Sequence, residues 1–423
     1  FKLTDIRREA ETIPSNAKSL RGIDKLAGKE FRFILQDHAE GIIISWNISL
    51  HDSCNFIQQQ FYFHQKGKGD SIESLRLINI PLADHPTTSG VVDGLPLLAG
   101  NMFFGIEHPM AYTVQTPDAL TSNIGASVSI KKDNGFEVST VWGITPQDQL
   151  RRGFLYYLEK VRAVPYRPFL HYNSWYDLSW VGLHLKESDC IDRVQTYIDS
   201  LVIKRKVHLS AFLWDDGWDN PNKVWQFNRD LPNGFAKLEQ ISRPYGTNMG
   251  VWLSPWGGYG ESQQERLAAG RKLNPPLGTN ANGFSLADKN YFNFFKTTAA
   301  NFIQKQGVVI FKFDGVGAGN GAAGATKDYQ KDIEGLLRVM TDLRKIKPDI
   351  YFSMTVGTWP SPYWLLWGDN IWRSGGDFGK VGEGTSREQW LSYRDEQVYK
   401  NIVQRSGLYP LNALMNHGVD VAG

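Results

Sequence analysis

The residues able to do chemistry in this chain are carboxylates set beside cations and tryptophans. Lys312-Phe-Asp314 closes an apolar run at 308–313. Period-two alternation along a strand puts Ile310, Lys312 and Asp314 on one face and Phe311 and Phe313 on the other. A charge turned into a packed interior is costly unless it is paired or used. A cation beside Asp314 favours the ionised carboxylate, the state a nucleophile requires. The other readings are a buried ion pair or a helix-capping aspartate. A second carboxylate, Asp377, follows Ser374-Gly-Gly, an elbow able to swing it over a cleft, four residues after Arg373. By itself such an aspartate is an ordinary turn residue. Asp215 and Asp216 stand side by side within Trp214-Asp-Asp-Gly-Trp218. They suit sugar hydroxyls, a helix cap or a metal, and the metal lacks histidines at useful spacing. Two carboxylates flanking a tryptophan-lined pocket is the arrangement that cleaves a glycosidic bond. One attacks the anomeric carbon or activates water, and the other protonates the leaving oxygen.

Rival chemistries are poorly served. The nine histidines do not cluster. His171, His208 and His417 read as core residues beside strands, with His417 nearest a strand end. Ser174 and Ser254 lack a nucleophile elbow. Residues 315–324 are rich in Gly and Ala, but no Gly-Lys-Ser/Thr follows, so this is not a phosphate loop.

The elements that must position these groups change character along the chain. Residues 31–36, 41–50, 56–64, 74–82, 126–131 and 136–144 are β-branched and aromatic runs broken by turn residues, the texture of an antiparallel β-sandwich. Residues 100–109 are a glycine-bounded aromatic segment, either a loop reaching a neighbouring domain or a strand and turn. Residues 147–161 have helical spacing, with Leu150, Phe154, Leu158 and Val161 on one stripe, and Pro165 and Pro168 follow as a hinge. From there strands at 169–174, 209–214, 250–254, 308–313, 350–355, 370–373 and 408–414 alternate with helices at 187–204, 289–306, 327–347 and 387–406. That alternation predicts a parallel sheet with right-handed crossovers and, at seven units, a (β/α)8 TIM-type barrel short of its eighth unit. A doubly wound sheet is the rival, disfavoured by the absence of G-x-G-x-x-G. The expected division is a sandwich over 1–147, a helical linker over 148–167 and a catalytic barrel over 168–423. Barrel chemistry collects where strands end. Those ends read Asn173-Ser-Trp175, Trp214-Asp-Asp-Gly-Trp218, Trp252-Leu-Ser-Pro-Trp256, Lys312-Phe-Asp314, Trp372-Arg-Ser-Gly-Gly-Asp377 and Met415-Asn-His417.

Composition narrows the partners. The 423 residues are 41% hydrophobic and 21% charged, which excludes disordered and collagen-like classes. No apolar run is long enough to span a membrane. With 46 basic and 44 acidic residues the net charge is +2, and no basic run offers nucleic acid a concentrated face. The 14 Trp, 17 Tyr and 23 Phe fit either a large aromatic core or sugar-binding platforms. Two cysteines, Cys54 and Cys190, exclude a disulfide framework and a cysteine zinc site. The chain starts at Phe1 with no signal-peptide pattern, as expected of a processed product, and with its low cysteine use this fits a periplasmic or secreted protein better than a cytoplasmic one.

Taken in order, Asn173-Ser-Trp, Trp214-Asp-Asp-Gly-Trp, Phe311-Lys-Phe-Asp and Trp372-Arg-x-x-x-Asp resemble the α-galactosidase clan of retaining glycoside hydrolases. The resemblance covers roughly 168–423. It is nearest to the bacterial and plant branch with a β-sandwich before the barrel, whose sandwich residues 100–109 also resemble. It implies Asp314 as nucleophile and Asp377 as general acid, then base. It implies that Lys312 and Arg373 bind ring hydroxyls and tune the carboxylates, that Asp215 and Asp216 hold the 4- and 6-hydroxyls, and that Trp175 and Trp214 shape the ring pocket. Trp252 completes the expected substrate-binding set. No metal or organic cofactor is implied. The implied partner is an oligosaccharide or glycan with a terminal α-galactoside, with oligomeric state open. The sandwich is shorter than that branch carries, and the 315–324 loop has no match there. An α-N-acetylgalactosaminidase or galactosyl transferase on the same scaffold stays open, as does a non-catalytic glycan-binding protein, although a binding module has no need of both Asp314 and Asp377.

Overall fold

A computed structural model describes residues 2–6, 10–37, 41–65, 71–129, 135–316, 324–325 and 327–415. Among them the N-terminal part forms two antiparallel sheets. The larger runs in the order Lys2–Ile6, Gly28–Gln36, Ile42–His51, Phe56–Gln65, Phe136–Ile144, Met102–Ile106, Leu97–Ala99 and Thr87–Thr88, with Glu11–Ile13 added beside Gly28–Gln36. The smaller pairs Tyr112–Gln115, Ala119–Ser129 and Ser71–Pro81. Alternation lets each strand bury one face, and Ile44, Phe63, Ile78, Ile80, Ile124 and Val138 fill the space between the sheets.

The helix Leu150–Val161 leads out of the sandwich. Its apolar stripe, Phe154, Tyr157, Leu158 and Val161, is fully buried. The expected helix over 147–161 is shortened at its start, where residues 145–149 form a turn, with the Gln149 N–H on the Pro146 carbonyl.

Seven parallel strands then follow in sequence order: His171–Asn173, Ala211–Trp214, Asn248–Leu253, Val308–Phe313, Tyr351–Met354, Asn370–Trp372 and Leu414–Met415. This is the expected barrel-type sheet, curled and open between its first and seventh strands among the described residues. The seventh strand is only two residues long. The stretch expected at 408–414 is mostly turn and a short helix over Leu411–Ala413, because Pro410 lacks the N–H a ladder needs.

The lining of the barrel obeys the strand period. Ala211, Leu213, Ile310 and Tyr351 meet inside as one apolar cluster. Phe311, Phe313 and Phe352 face outward and stack on one another at 5.4–6.2 Å between ring centres. Phe295 of the helix Lys289–Gln306 packs on Phe313. That helix is capped by the Asp288 carboxylate on the Tyr291 N–H and ends at Gly307, whose φ of 62° turns the chain straight into the strand carrying Lys312 and Asp314.

Residues 100–109 serve as both strand and reach. Met102–Ile106 joins the large sheet, and the residues after it lean on the barrel. Trp359, fully buried, donates its indole N–H to the Asp93 and Pro109 carbonyls at 3.1 Å each, and Ser361 Oγ donates to the Gly94 carbonyl at 2.7 Å. Tyr157 donates to Glu107 at 2.6 Å from the connecting helix. Cys54 and Cys190 are both free. No described helix is long and apolar enough to cross a membrane.

Trp359→Phe keeps most of the ring burial but leaves two carbonyls without their donor. Unfolding free energy is expected to fall by about 1–3 kcal/mol, measured by urea denaturation. An unchanged midpoint and slope would show that this contact does not tie the two parts together.

Candidate active site

A cavity of about 620 Å³ opens at the carboxyl ends of the barrel strands. Asp314, Asp377, Asp215, Asp216, Lys312, Trp175 and Trp252 all border it. Seven of the nine expected site residues are therefore brought together. The two exceptions are Trp214 and Arg373.

Asp314 is fixed from three sides. Its Oδ2 accepts the Trp252 indole N–H at 2.9 Å, and its Oδ1 accepts the Thr355 hydroxyl at 2.6 Å and the Val356 amide at 3.0 Å. The donors come from the third and fifth strand ends, so neighbouring strands set the carboxylate's orientation. Tyr259 at the rim adds its hydroxyl. Burial first, then the charge and hydrogen bond of Asp314, hold that phenol protonated well above the usual tyrosine range.

Asp377 is half-buried and accepts the Trp175 indole N–H at 3.1 Å. The chain reaches it through Ser374 and Gly375, both left-handed at φ 66° and 84°. Arg373 makes that elbow. It is fully buried and donates to the Ser374 carbonyl at 2.7 Å and the Gly376 carbonyl at 3.0 Å, lying over the Trp372 and Tyr393 rings. It thus shapes the backbone that carries Asp377 and is not among the residues lining the cavity.

Lys312 reaches across the barrel to Asp215 at 2.8 Å, with both groups buried. The cation expected to serve Asp314 directly is thus engaged by another carboxylate. Burial works against the Lys312 ammonium, but Asp215, then Asp314 and Asp377, outweigh it and raise its pKa. Burial pushes the Asp215 carboxyl up to about 6, against the pull of Lys312. Asp215 also anchors its loop, with its N–H on Ser174 Oγ and its Oδ1 accepting the Asp216 N–H.

Asp216 belongs to a second buried cluster that sequence reasoning missed. Arg266, from the helix Gly260–Arg271, donates to Asp216 at 2.7 Å and to both oxygens of Asp219 at 2.7 and 2.9 Å. The guanidinium lies between the Trp225 and Trp252 rings, 4.8 and 5.3 Å from their centres. Gly258, at φ 93°, leaves it room, since a Cβ there would stand 2.5 Å from a guanidinium nitrogen. No helix was expected over 260–271. The available signal was Asp219, a third acid in one short loop that needed a cation from elsewhere. Among the described residues no group of His, Cys, Asp and Glu is arranged to hold a metal.

Trp214 is a core residue and not the pocket wall expected of it, and Trp218 is buried nearby. Trp214 continues the outward face of its strand after Phe212 and packs on Tyr172 and Phe235. Trp218 donates to the Trp252 carbonyl at 2.9 Å and is fully buried. The real aromatic walls are Trp175, Trp252, Trp256 and Tyr259. His171 is partly buried beside the first barrel strand, where desolvation holds its pKa at about 4, and His208 is exposed, so neither is the core residue expected. His417 and residues 317–323 of the 315–324 loop lie outside the described residues.

The same architecture recurs in solved structures. The GH36 α-galactosidase AgaB of Geobacillus stearothermophilus aligns over 100% of this chain and 68% of its own, at 16% identity and TM-score 0.59. AgaA of the same organism aligns over 99% and 67%, at 16% identity and TM-score 0.56. An α-galactosidase from Lactobacillus brevis aligns over 92% and 62%, at 12% identity and TM-score 0.53. No family model and no curated protein matches. At these identities the likeness is one of fold: a β-sandwich followed by a (β/α)-barrel sheet.

The buried ion pair makes a titration prediction. The folded value for Asp215, about 6, lies above the unfolded value of about 3.9. Its contribution to stability is thus complete below about 3.9 and is lost as pH rises through about 6. Carbon-detected NMR, assigned with Asp215→Asn, should find Asp215 titrating near that upper value, beside Asp93, which burial also pushes up to about 6. In Lys312→Met the Asp215 midpoint should move higher, because the ammonium that favours the ionised form is gone. Titration in the ordinary carboxylate range would contradict this electrostatic picture.

Proposed function

We propose that the protein is a retaining exo-acting glycoside hydrolase that releases terminal α-linked galactose. The observation that carries the reading is the pairing of two carboxylates with two indoles around one cavity: Asp314 with Trp252, and Asp377 with Trp175. The likeness in fold to α-galactosidases supports the sugar, and one such neighbour, an AgaA variant, is described in complex with stachyose.

In this reading Asp314 attacks the anomeric carbon. The glycosidic bond breaks as Asp377 gives its proton to the leaving oxygen, and a galactosyl ester on Asp314 remains. Asp377 then takes a proton from water, the water oxygen attacks the same carbon, and the ester breaks with net retention. Three donors hold the Asp314 carboxylate in one orientation, which favours a near-attack geometry. The Lys312–Asp215 pair and the Arg266-anchored Asp216 present carboxylates of fixed direction to ring hydroxyls. Asp377 sits on an elbow and is less buried than Asp314, as a group that must exchange protons with water requires.

The test is p-nitrophenyl α-galactoside beside its 2-acetamido analogue, with product anomers followed by NMR. The reading expects the α-anomer first, from the galactoside. Asp314→Ala should abolish turnover of every substrate. Asp377→Ala should cost about 10²–10⁴-fold on an oligosaccharide and less on the aryl glycoside, whose leaving group needs little protonation. Equal losses on both substrates would refute the assigned roles. Binding without turnover would make the chain a glycan-binding protein, and preference for the acetamido sugar would change the substrate.

A further inference from the structure

A cavity larger than the catalytic one lies elsewhere among the described residues. A groove of about 860 Å³ runs along the outside of the barrel, between the helix Lys289–Gln306 and the loops around Trp225 and Pro275. Its helical wall is Asn293, Thr297 and Asn301, spaced four residues apart and so on one face over about 12 Å. Asn290 and Gln306 fix the ends, donating to the Pro276 carbonyl at 3.2 Å and accepting the Phe235 N–H at 2.8 Å. Trp225, Phe227 and Phe294 add aromatic surface.

This composition is unusual for the outside of a barrel helix. Asn and Thr are poor helix formers, and exposed helix positions are ordinarily filled by Lys, Glu, Gln or Ala. Asn293 and Thr297 are exposed, so packing does not repay their choice. The opposite wall is strained: Val224 and Trp225 have φ of 37° and 56°, and a β-branched residue in that region is an outlier of the kind that gathers at functional sites. Amides and hydroxyls on the helical wall, facing aromatic rings and the aliphatic Leu273, Pro275 and Leu277, with Lys305 as the one formal charge among the lining residues, match an uncharged ligand that presents both hydroxyls and C–H faces.

The geometry points to an accessory binding site for a neutral oligosaccharide in this groove, separate from the catalytic cavity. The two share no lining residue but are joined through Trp225, which borders the groove and stacks on Arg266, the partner of Asp216. The assignment does not depend on the hydrolase reading, because the groove's chemistry specifies a neutral saccharide and not a particular linkage.

The test uses the whole chain carrying Asp314→Asn, titrated by calorimetry with stachyose, maltotetraose and cellotetraose in turn. The comparison protein adds Asn293→Ala, Thr297→Ala and Asn301→Ala, changes that raise helix propensity and should leave the melting temperature unchanged or higher. At least one probe should bind, and the triple change should weaken that binding tenfold or more. In the Asp314-containing chain the same triple change should leave hydrolysis of the small aryl galactoside unaltered. Absence of hydrolysis in the unaltered chain, with groove binding intact, would sink the catalytic reading alone. Absence, for all three probes, of a binding event that the triple change weakens overturns the accessory site. A dimer in sedimentation velocity that the triple change dissolves overturns it too, since a second copy would then occupy the groove.

Discussion

A charge inside a β/α barrel must find a partner, and the site is organised around that requirement. Lys312 and Asp215 come from strands two places apart in the sheet and meet in the lumen above a layer of Ala, Leu, Ile and Tyr side chains. In so dry a place an unpaired charge would cost several kcal/mol. The pairing therefore restricts how the second and fourth strands can register. It also fixes the height at which apolar packing stops and polar chemistry begins.

The same logic repeats one layer out. Arg266 is as buried as any core residue, yet it satisfies two carboxylates, a backbone carbonyl and two ring faces at once. Trp252 is shared by both systems, since it covers Arg266 and donates to Asp314. A disturbance at Asp216 thus has a short physical route to the nucleophile candidate, through packed groups with little freedom to relax. The second carboxylate is set by different means. Arg373 and a left-handed Ser-Gly pair bend the backbone, and Trp175 then orients the side chain. One carboxylate is thereby rigid and buried, and the other is held on a turn nearer solvent.

Much of this was legible in the sequence, for identifiable reasons. Strand period two correctly put Lys312 and Asp314 inward and Phe311 and Phe313 outward, because a barrel strand has one lumen face and one helix face. The same rule, applied to 211–214, would have turned Trp214 outward. Reading its neighbours Asp215 and Asp216 as a motif drew it wrongly into the pocket. Arg373 could be placed beside Asp377 from sequence, but its hold on the Ser374 and Gly376 carbonyls could not, because it depends on the left-handed turn between them. Arg266 and Asp219 could not be paired from sequence, because 47 residues separate them and the helix around Arg266 carries no apolar stripe to show which face is buried. The last strand was lost to Pro410, a local effect that pattern alone underweights.

The proposed reaction turns on Asp314 as the group that attacks sugar. A slow fluorinated galactosyl fluoride, incubated with the intact protein and followed by proteolysis and mass spectrometry, tests this directly. The account predicts one added fluorogalactosyl group, carried by the peptide that contains Asp314 and absent in Asp314→Asn. The label on any other carboxylate, or turnover to the inverted anomer with no label at all, would contradict it.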